Sequence, residues 1–90
     1  MTHGPDPGVV VTVRYFAAAR AAAGMESETV AVPPGGTVAD LIDDLAGRNA
    51  RLATVLGRCS YLCDGIAVRV YGTALHSGQT IDVLPPFAGG

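Results

Sequence analysis

The sequence predicts an α+β fold, in which a single sheet packs on one main helix. Two strand-like runs open the 90-residue chain, one closes it, and an amphipathic helical pattern lies between them. Elements in this order are typical of one sheet with its helix on one face. A chain of this length is sufficient for one domain, which buries somewhat more than about 60% of its unfolded surface.

The first predicted strand runs from Val9 to Phe16 and is rich in β-branched and aromatic residues. Because side chains alternate along a strand, Arg14 and Phe16 fall on the outer face with Val10 and Thr12, and Val9, Val11, Val13 and Tyr15 fall on the other. The alanine-rich segment that follows contains Arg20 and predicts a short helical turn that ends at Gly24. Residues 28–32 alternate again and predict a second strand, paired with the first.

The main helix is predicted to begin after Thr37, whose hydroxyl can cap it, with Asp40 in the first turn. Apolar residues then recur at helical spacing and form one stripe, and Gly47 ends the pattern. These residues are Val38, Leu41, Ile42 and Leu45. A second short helix is predicted over 51–56. The acidic residues of the main helix are interpreted as a solvated face rather than a cation site.

The Asp64-Gly65 pair between apolar runs predicts a hairpin, and residues 79–84 predict the last strand. Alternation places Leu84 on the outer face of that strand. If the last strand lies beside the first, Phe16 and Leu84 meet there, and we expect an exposed apolar patch that binds a partner. The alternative is that either side chain folds back over the sheet edge.

Composition excludes several classes of function. The net charge is −2 and there is no basic block, so neither nucleic acid nor an anionic membrane surface is an expected partner. The chain has no run of about 18 apolar residues and no signal-peptide pattern, which favours the cytoplasm. We expect a flexible leader over 1–8, a domain over 9–86 and a flexible tail over 87–90.

Side chains that could carry catalysis or bind metal are few. Cys59 and Cys63 match neither a redox nor a zinc spacing, and His3 and His76 have no ligand partners nearby in sequence. All six basic residues are arginine, so chemistry that needs a lysine amine would have to come from a partner.

The C-terminal run Leu84-Pro85-Pro86-Phe87-Ala88-Gly89-Gly90 is the strongest functional signal. The two prolines end the strand, and four extended residues beyond them reach roughly 13 to 14 Å. Glycine allows close backbone approach to a catalyst. The terminal carboxylate is an anion near neutral pH and a poor electrophile, so an activating enzyme is implied. The alternative is an inert, frayed end.

The chain resembles the MoaD/ThiS family of ubiquitin-like sulfur carriers, and within it the MoaD type, the small subunit of molybdopterin synthase. The resemblance rests on the Pro-Pro-x-x-Gly-Gly ending, on residues 13–17 followed by Arg20 and Gly24, on the helix after Thr37, and on residues 75–78. It covers about 9–90 and implies a ubiquitin-like β-grasp fold with a mixed sheet.

The resemblance also implies a function. Gly90 would be adenylated with ATP by a MoeB-type enzyme and converted to a thiocarboxylate. The tail would then enter a MoaE-type large subunit, in a heterotetramer of two small and two large subunits, and donate sulfur to cyclic pyranopterin monophosphate. This chain would bind no cofactor itself.

Site residues follow from the same resemblance. Gly90 would carry the adenylate and the thiocarboxylate, and Gly89 would let the tail thread into its partner. The partner-binding residues would be Phe16, Arg20, Leu84, Pro85, Pro86, Phe87 and Ala88. Where the family has Arg-Glu after the first strand, this chain has Arg20-Ala21, so any contact made by that glutamate is missing or replaced.

Three alternatives remain open at this point. A carrier for thiamine thiazole or cysteine biosynthesis would have a similar tail. A ubiquitin-like protein modifier would join Gly90 to target lysines through an isopeptide bond. An interaction domain with an inert tail would not be adenylated.

Overall fold

A computed structural model describes residues 8–86 and has the predicted α+β architecture, a ubiquitin-like β-grasp fold. The predicted limits at 8/9 and 86/87 stay predictions, because 1–7 and 87–90 lie outside the described residues. In chain order the elements are β1 (Val9–Tyr15), α1 (Ala17–Ala23), β2 (Ser27–Val32), α2 (Val38–Ala46), α3 (Ala50–Leu56), β3 (Ser60–Cys63), β4 (Ile66–Ala67) and β5 (Thr80–Leu84).

The strands form one mixed sheet in the order β2-β1-β5-β3-β4. β1 and β5 are parallel, and each of the other neighbouring pairs is antiparallel. The expected pairing of β2 with β1 is confirmed, and the last strand lies beside the first, which is the arrangement on which the predicted meeting of Phe16 and Leu84 depended. The last strand therefore lies inside the sheet, with a neighbour on each side.

One face of the sheet packs on the helices and forms the core. Alternation along β1 is confirmed, because Val11, Val13 and Tyr15 are buried and Arg14 between them is exposed. The apolar stripe of α2 is also confirmed, with Val38, Leu41 and Leu45 buried. The remaining buried apolar residues are Ala19, Val30, Val32, Leu52, Leu56, Tyr61, Leu75, Ile81 and Val83.

Helix α2 begins with the cap that its sequence predicts. The Thr37 hydroxyl oxygen accepts from the Asp40 N–H at 3.2 Å, and the Asp40 carboxylate accepts from the Thr37 N–H at 2.9 Å. This reciprocal pair satisfies two backbone donors that the first helical turn leaves without partners. Gly47 follows the helix as its C-cap, as expected.

Two turns place residues at positive φ, a backbone conformation that glycine adopts most readily. Gly24 ends α1 in the left-handed region, at φ 79°, and donates to the Arg20 carbonyl oxygen at 2.9 Å. Asp64 and Gly65 join β3 to β4 with φ of 50° and 83°. Positive φ at both central residues is the geometry of a tight hairpin turn, as the Asp-Gly pair predicts.

Tyr15 connects the sheet to an ionic cluster at the rim of the core. Its buried ring donates a hydroxyl hydrogen bond to Glu28 at 2.7 Å, and Glu28 also pairs with Arg48. Burial, and then the neighbouring Glu28 carboxylate, raises the pKa of the Tyr15 hydroxyl above its ordinary value. The folded protein therefore holds this proton more tightly than the unfolded chain.

The pKa of Tyr15 is higher in the folded protein than in the unfolded chain, where it is about 10. The protonated hydroxyl therefore contributes its full stabilisation below about pH 10, and this contribution to the unfolding free energy is lost as the pH rises above that value. We expect Tyr15→Phe to flatten the fall in unfolding free energy above about pH 10, measured by urea denaturation across alkaline pH. Near pH 7 the unfolding free energies of the variant and the wild type should differ by an amount that does not change with pH. Alkaline slopes that match in variant and wild type would contradict the assignment.

Candidate functional site at the start of the C-terminal tail

The C-terminal end of β5 is held on both sides by the sheet. Val83 is in register with Tyr15 of β1, and its carbonyl oxygen accepts from the Phe16 N–H at 3.3 Å. On the other side, Leu84 is in register with Ser60 of β3. Because pairing continues to Leu84, the position from which the chain enters Pro85-Pro86 is fixed by the body of the sheet. We call this position the tail root, residues 84–86.

Phe16 and Leu84 lie at neighbouring places on the outer face of the sheet, as alternation predicts. Phe16 keeps an extended backbone, with φ −123° and ψ 150°, so its side chain continues the β1 alternation. Both side chains are half-buried. The exposed apolar patch that the sequence predicts therefore consists, in the structure, of two side chains that are each partly covered. Their role in binding a partner stays a prediction.

An ion pair joins β1 and β5 on the same face, two residues before Phe16 and Leu84. Arg14 and Asp82 are in register, and the guanidinium donates from Nε to Oδ1 at 2.6 Å and from Nη2 to Oδ2 at 2.8 Å. Asp82 is only 6% exposed, whereas the Arg14 side chain is 52% exposed. The hydrogen bonds and the charge of Asp82 raise the pKa of Arg14. The bidentate geometry also fixes the direction of the guanidinium.

Arg14 also covers the ring of Phe16. Its guanidinium carbon lies 5.6 Å from the ring centroid, within the range of a cation–π contact. The guanidinium therefore lies against part of the surface of the half-buried Phe16 side chain. The outer face beside the tail root thus presents a cation lying over an aromatic ring.

The tail root also lies against the helices. Pro85 is half-buried and Pro86 is exposed. They line a groove of about 220 Å³ together with Ala18 of α1 and with Thr54, Val55 and Arg58 at the end of α3. The chain therefore leaves the sheet along a surface built by two helices. Phe87, Ala88, Gly89 and Gly90 lie outside the described residues.

Arg20 is placed on α1, with an exposed side chain. Among residues 8–86 it has no ion-pair partner, in contrast to Arg14 and Arg48. Its guanidinium is therefore available to a partner protein, although the structure does not join it to the Arg14–Asp82 pair.

The two cysteines, Cys59 and Cys63, are both free and partly buried. Burial raises the pKa of the Cys59 and Cys63 thiols, which disfavours the reactive thiolate. Within residues 8–86, no three His, Cys, Asp or Glu side chains are grouped so as to hold a metal ion. In the same range, no helix has the length and apolar character needed to cross a membrane.

Sequence reasoning missed two features of the tail root. Alternation puts Arg14 on the outer face of the first strand and Asp82, two residues before Leu84, on the outer face of the last, and these opposite charges are the signal that could have paired them. The groove residues Ala18 and Arg58 carry no such signal, because their approach to Pro85 and Pro86 depends on how α1 and α3 pack.

A small β-grasp domain whose last strand lies inside the sheet and continues into Pro-Pro-x-x-Gly-Gly defines a ubiquitin-like protein of the MoaD/ThiS type. The chain belongs to the ThiS family, whose profile matches residues 13–90 and so includes the two terminal glycines. The resemblance noted in the sequence is thereby confirmed.

Relatives of the chain include proteins named for molybdopterin synthesis and proteins named as modifiers. The molybdopterin synthase sulfur carrier subunit of Chlamydomonas reinhardtii is 28% identical over 81 residues, covering 89% of this chain and 98% of the relative. Among solved structures, a Pyrococcus furiosus protein assigned as molybdopterin converting factor subunit 1 has a TM-score of 0.81 at 27% identity, covering 89% of this chain and 100% of that one. SAMP1 from Haloferax volcanii has a TM-score of 0.79 at 28% identity, covering 90% and 99%.

The Arg14–Asp82 pair leads to a prediction about stability. Arg14→Leu should lower the unfolding free energy, because it leaves the buried Asp82 carboxylate without its partner. Arg14→Leu combined with Asp82→Leu should recover most of the loss, since two apolar residues can replace a buried pair at little cost. Urea denaturation of both variants checks this. A double variant less stable than the single one would contradict it.

Proposed function

We propose that this protein is a sulfur carrier that acts as the small subunit of molybdopterin synthase, with Gly90 as the residue that carries the sulfur. The observation that supports this most strongly is the family match through Gly90, on a chain whose last strand is held inside the sheet up to the tail root. The names of the Chlamydomonas and Pyrococcus relatives favour the molybdopterin branch of the family.

The proposed chemistry begins at the terminal carboxylate. As an anion it resists attack by a nucleophile, so a MoeB-type enzyme would first join one carboxylate oxygen to the α-phosphorus of ATP, with release of pyrophosphate. Hydrosulfide, or its equivalent supplied by the cell at the oxidation level of sulfide, would then form the C–S bond as the bond to the phosphate oxygen of AMP breaks and AMP leaves. The product is a C-terminal thiocarboxylate.

The second half of the proposed reaction takes place in a partner. The thiocarboxylate sulfur is an anionic nucleophile, so the carrier needs only to place it beside an acceptor. A MoaE-type large subunit would bind the cyclic pyranopterin monophosphate and supply the proton transfers. In this division of tasks the carrier contributes a tail root that the sheet holds in place.

Native protein gives the direct test of this proposal. Intact-mass analysis of the chain purified from its own cells should find a fraction in which one C-terminal oxygen is replaced by sulfur. Cells that lack the activating enzyme should yield only the carboxylate form. A carboxylate form alone in both strains, under conditions that demand molybdopterin, would contradict the proposal.

Tail length gives a second test. Deleting Gly90, or adding one residue after it, should abolish sulfur transfer in a synthase reconstituted with the large subunit, because the reacting group would be misplaced. The unfolding midpoint should not change, since these changes lie beyond the core. A matched control adds one residue before Met1 and should keep full activity. Full activity of either tail variant would refute the role of Gly90.

A second candidate function is protein modification, which the likeness to SAMP1, named a small archaeal modifier protein, favours. In that case Gly90 would form an amide with a lysine of another protein. The chain has no lysine, so it could not extend itself through lysine linkages. Conjugates of higher mass that disappear on deletion of Gly90 would support this function, and a thiocarboxylate without conjugates would support the first.

A further inference from the structure

The outer face of the sheet has a single charged pair among its strand residues. Register places twelve strand positions on the face that carries Arg14, and all except Arg14 and Asp82 are uncharged. The uncharged ones are Val10, Thr12, Ser27, Thr29, Ala31, Ser60, Leu62, Ala67, Thr80 and Leu84. Any electrostatic recognition on this face of the described strands therefore falls on that pair.

Only one member of the pair is accessible. Asp82 is 6% exposed and both of its oxygens accept from Arg14, whereas the Arg14 side chain is 52% exposed. A partner that meets this face therefore contacts the cation and not the carboxylate.

Arg14 retains unused hydrogen-bonding capacity. A guanidinium has five N–H donors, and Asp82 takes two of them, one at Nε and one at Nη2, which leaves three. These three lie on Nη1 and Nη2, so the end of the guanidinium still offers a two-pronged donor. That geometry matches a second carboxylate.

The position of Arg14 connects this donor to the tail. Its guanidinium lies over Phe16, and β1 holds β5 in register up to Val83, one residue before the tail root. A protein that receives the tail must cover the surface beside the tail root, so it meets the Arg14 guanidinium and the half-buried Phe16 together. Asp82 fixes the guanidinium beforehand, which lowers the entropy lost on binding.

We infer that Arg14 is a specificity-determining residue of the surface that docks the large subunit, where its free donors take a carboxylate of that partner beside Phe16. This inference rests on the proposed function. Asp82 is then a positioning residue, which holds the guanidinium and does not touch the partner.

Exchanging the two charges separates recognition from stability. The double variant Arg14→Asp/Asp82→Arg keeps the ion pair and the net charge, but it moves the guanidinium from β1 to β5 and off the Phe16 ring. Its unfolding free energy should return close to that of the wild type, whereas Arg14→Asp alone should be destabilised by two facing carboxylates. The double variant should nevertheless bind the large subunit about tenfold or more weakly than the wild type does.

The measurement is calorimetric titration of the full-length chain into the large subunit of molybdopterin synthase from the same cell, at low and at high salt. The wild-type affinity should fall with salt, and that of the exchanged variant should fall less, because the interfacial ion pair is gone. Arg69→Leu is the matched control for Arg14→Leu, since Arg69 is an exposed arginine that follows β4, two strands from β5. It should bind like the wild type.

The outcomes separate this inference from the proposed function. If the exchanged variant folds and binds like the wild type, Arg14 has only a structural role and the inference is overturned, while the proposed function stands. If Arg69→Leu weakens binding as much as Arg14→Leu does, the effect is general electrostatics and the inference is also overturned. If the wild type does not bind the large subunit at all, both the inference and the proposed function fail.

Discussion

The parallel pairing of β1 with β5 is the interaction on which the rest of this structure depends. It joins segments that are 68 residues apart, and it places the C-terminal strand between two neighbours instead of at an edge. Strands β1, β5 and β3 then share their buried face with α2 and α3, through Tyr15, Val83 and Tyr61. Because pairing with β1 continues to Val83 and pairing with β3 continues to Leu84, the chain leaves the sheet at a fixed point, with its direction set by core packing.

Local sequence signals predicted most of the fold. The capping residues Thr37 and Asp40, the Asp64-Gly65 turn and the alternation along β1 each act over a few residues, so the chain itself reveals them. The contacts that shape the tail root are different. The Arg14–Asp82 pair requires the exact register of two distant strands, and the groove at Pro85 requires the packing of α1 on α3. Neither is encoded in a local pattern.

The chemistry of the site is predicted from the sequence alone, whereas its surroundings could be predicted only in part. The Pro-Pro-x-x-Gly-Gly ending predicts that the terminal carboxylate of Gly90 is the reacting group, and this stays a prediction because 87–90 lie outside the described residues. The expected exposed patch of Phe16 and Leu84 depended on what lies above the two side chains. Alternation predicts the face on which Phe16 lies. It does not show that the long side chain of Arg14, on the same face, lies over the Phe16 ring.

The choice of a charged pair at this place has a physical consequence beyond folding. A buried carboxylate carries a desolvation cost that its partner only offsets, and two apolar residues could replace the pair between β1 and β5 at little cost in stability. The pair does supply a rigid, half-exposed guanidinium on a sheet face that is otherwise uncharged at its described strand positions. An apolar face alone would bind many surfaces with similar affinity. A single fixed cation penalises every partner that fails to place an acceptor opposite it, and this penalty is a source of specificity.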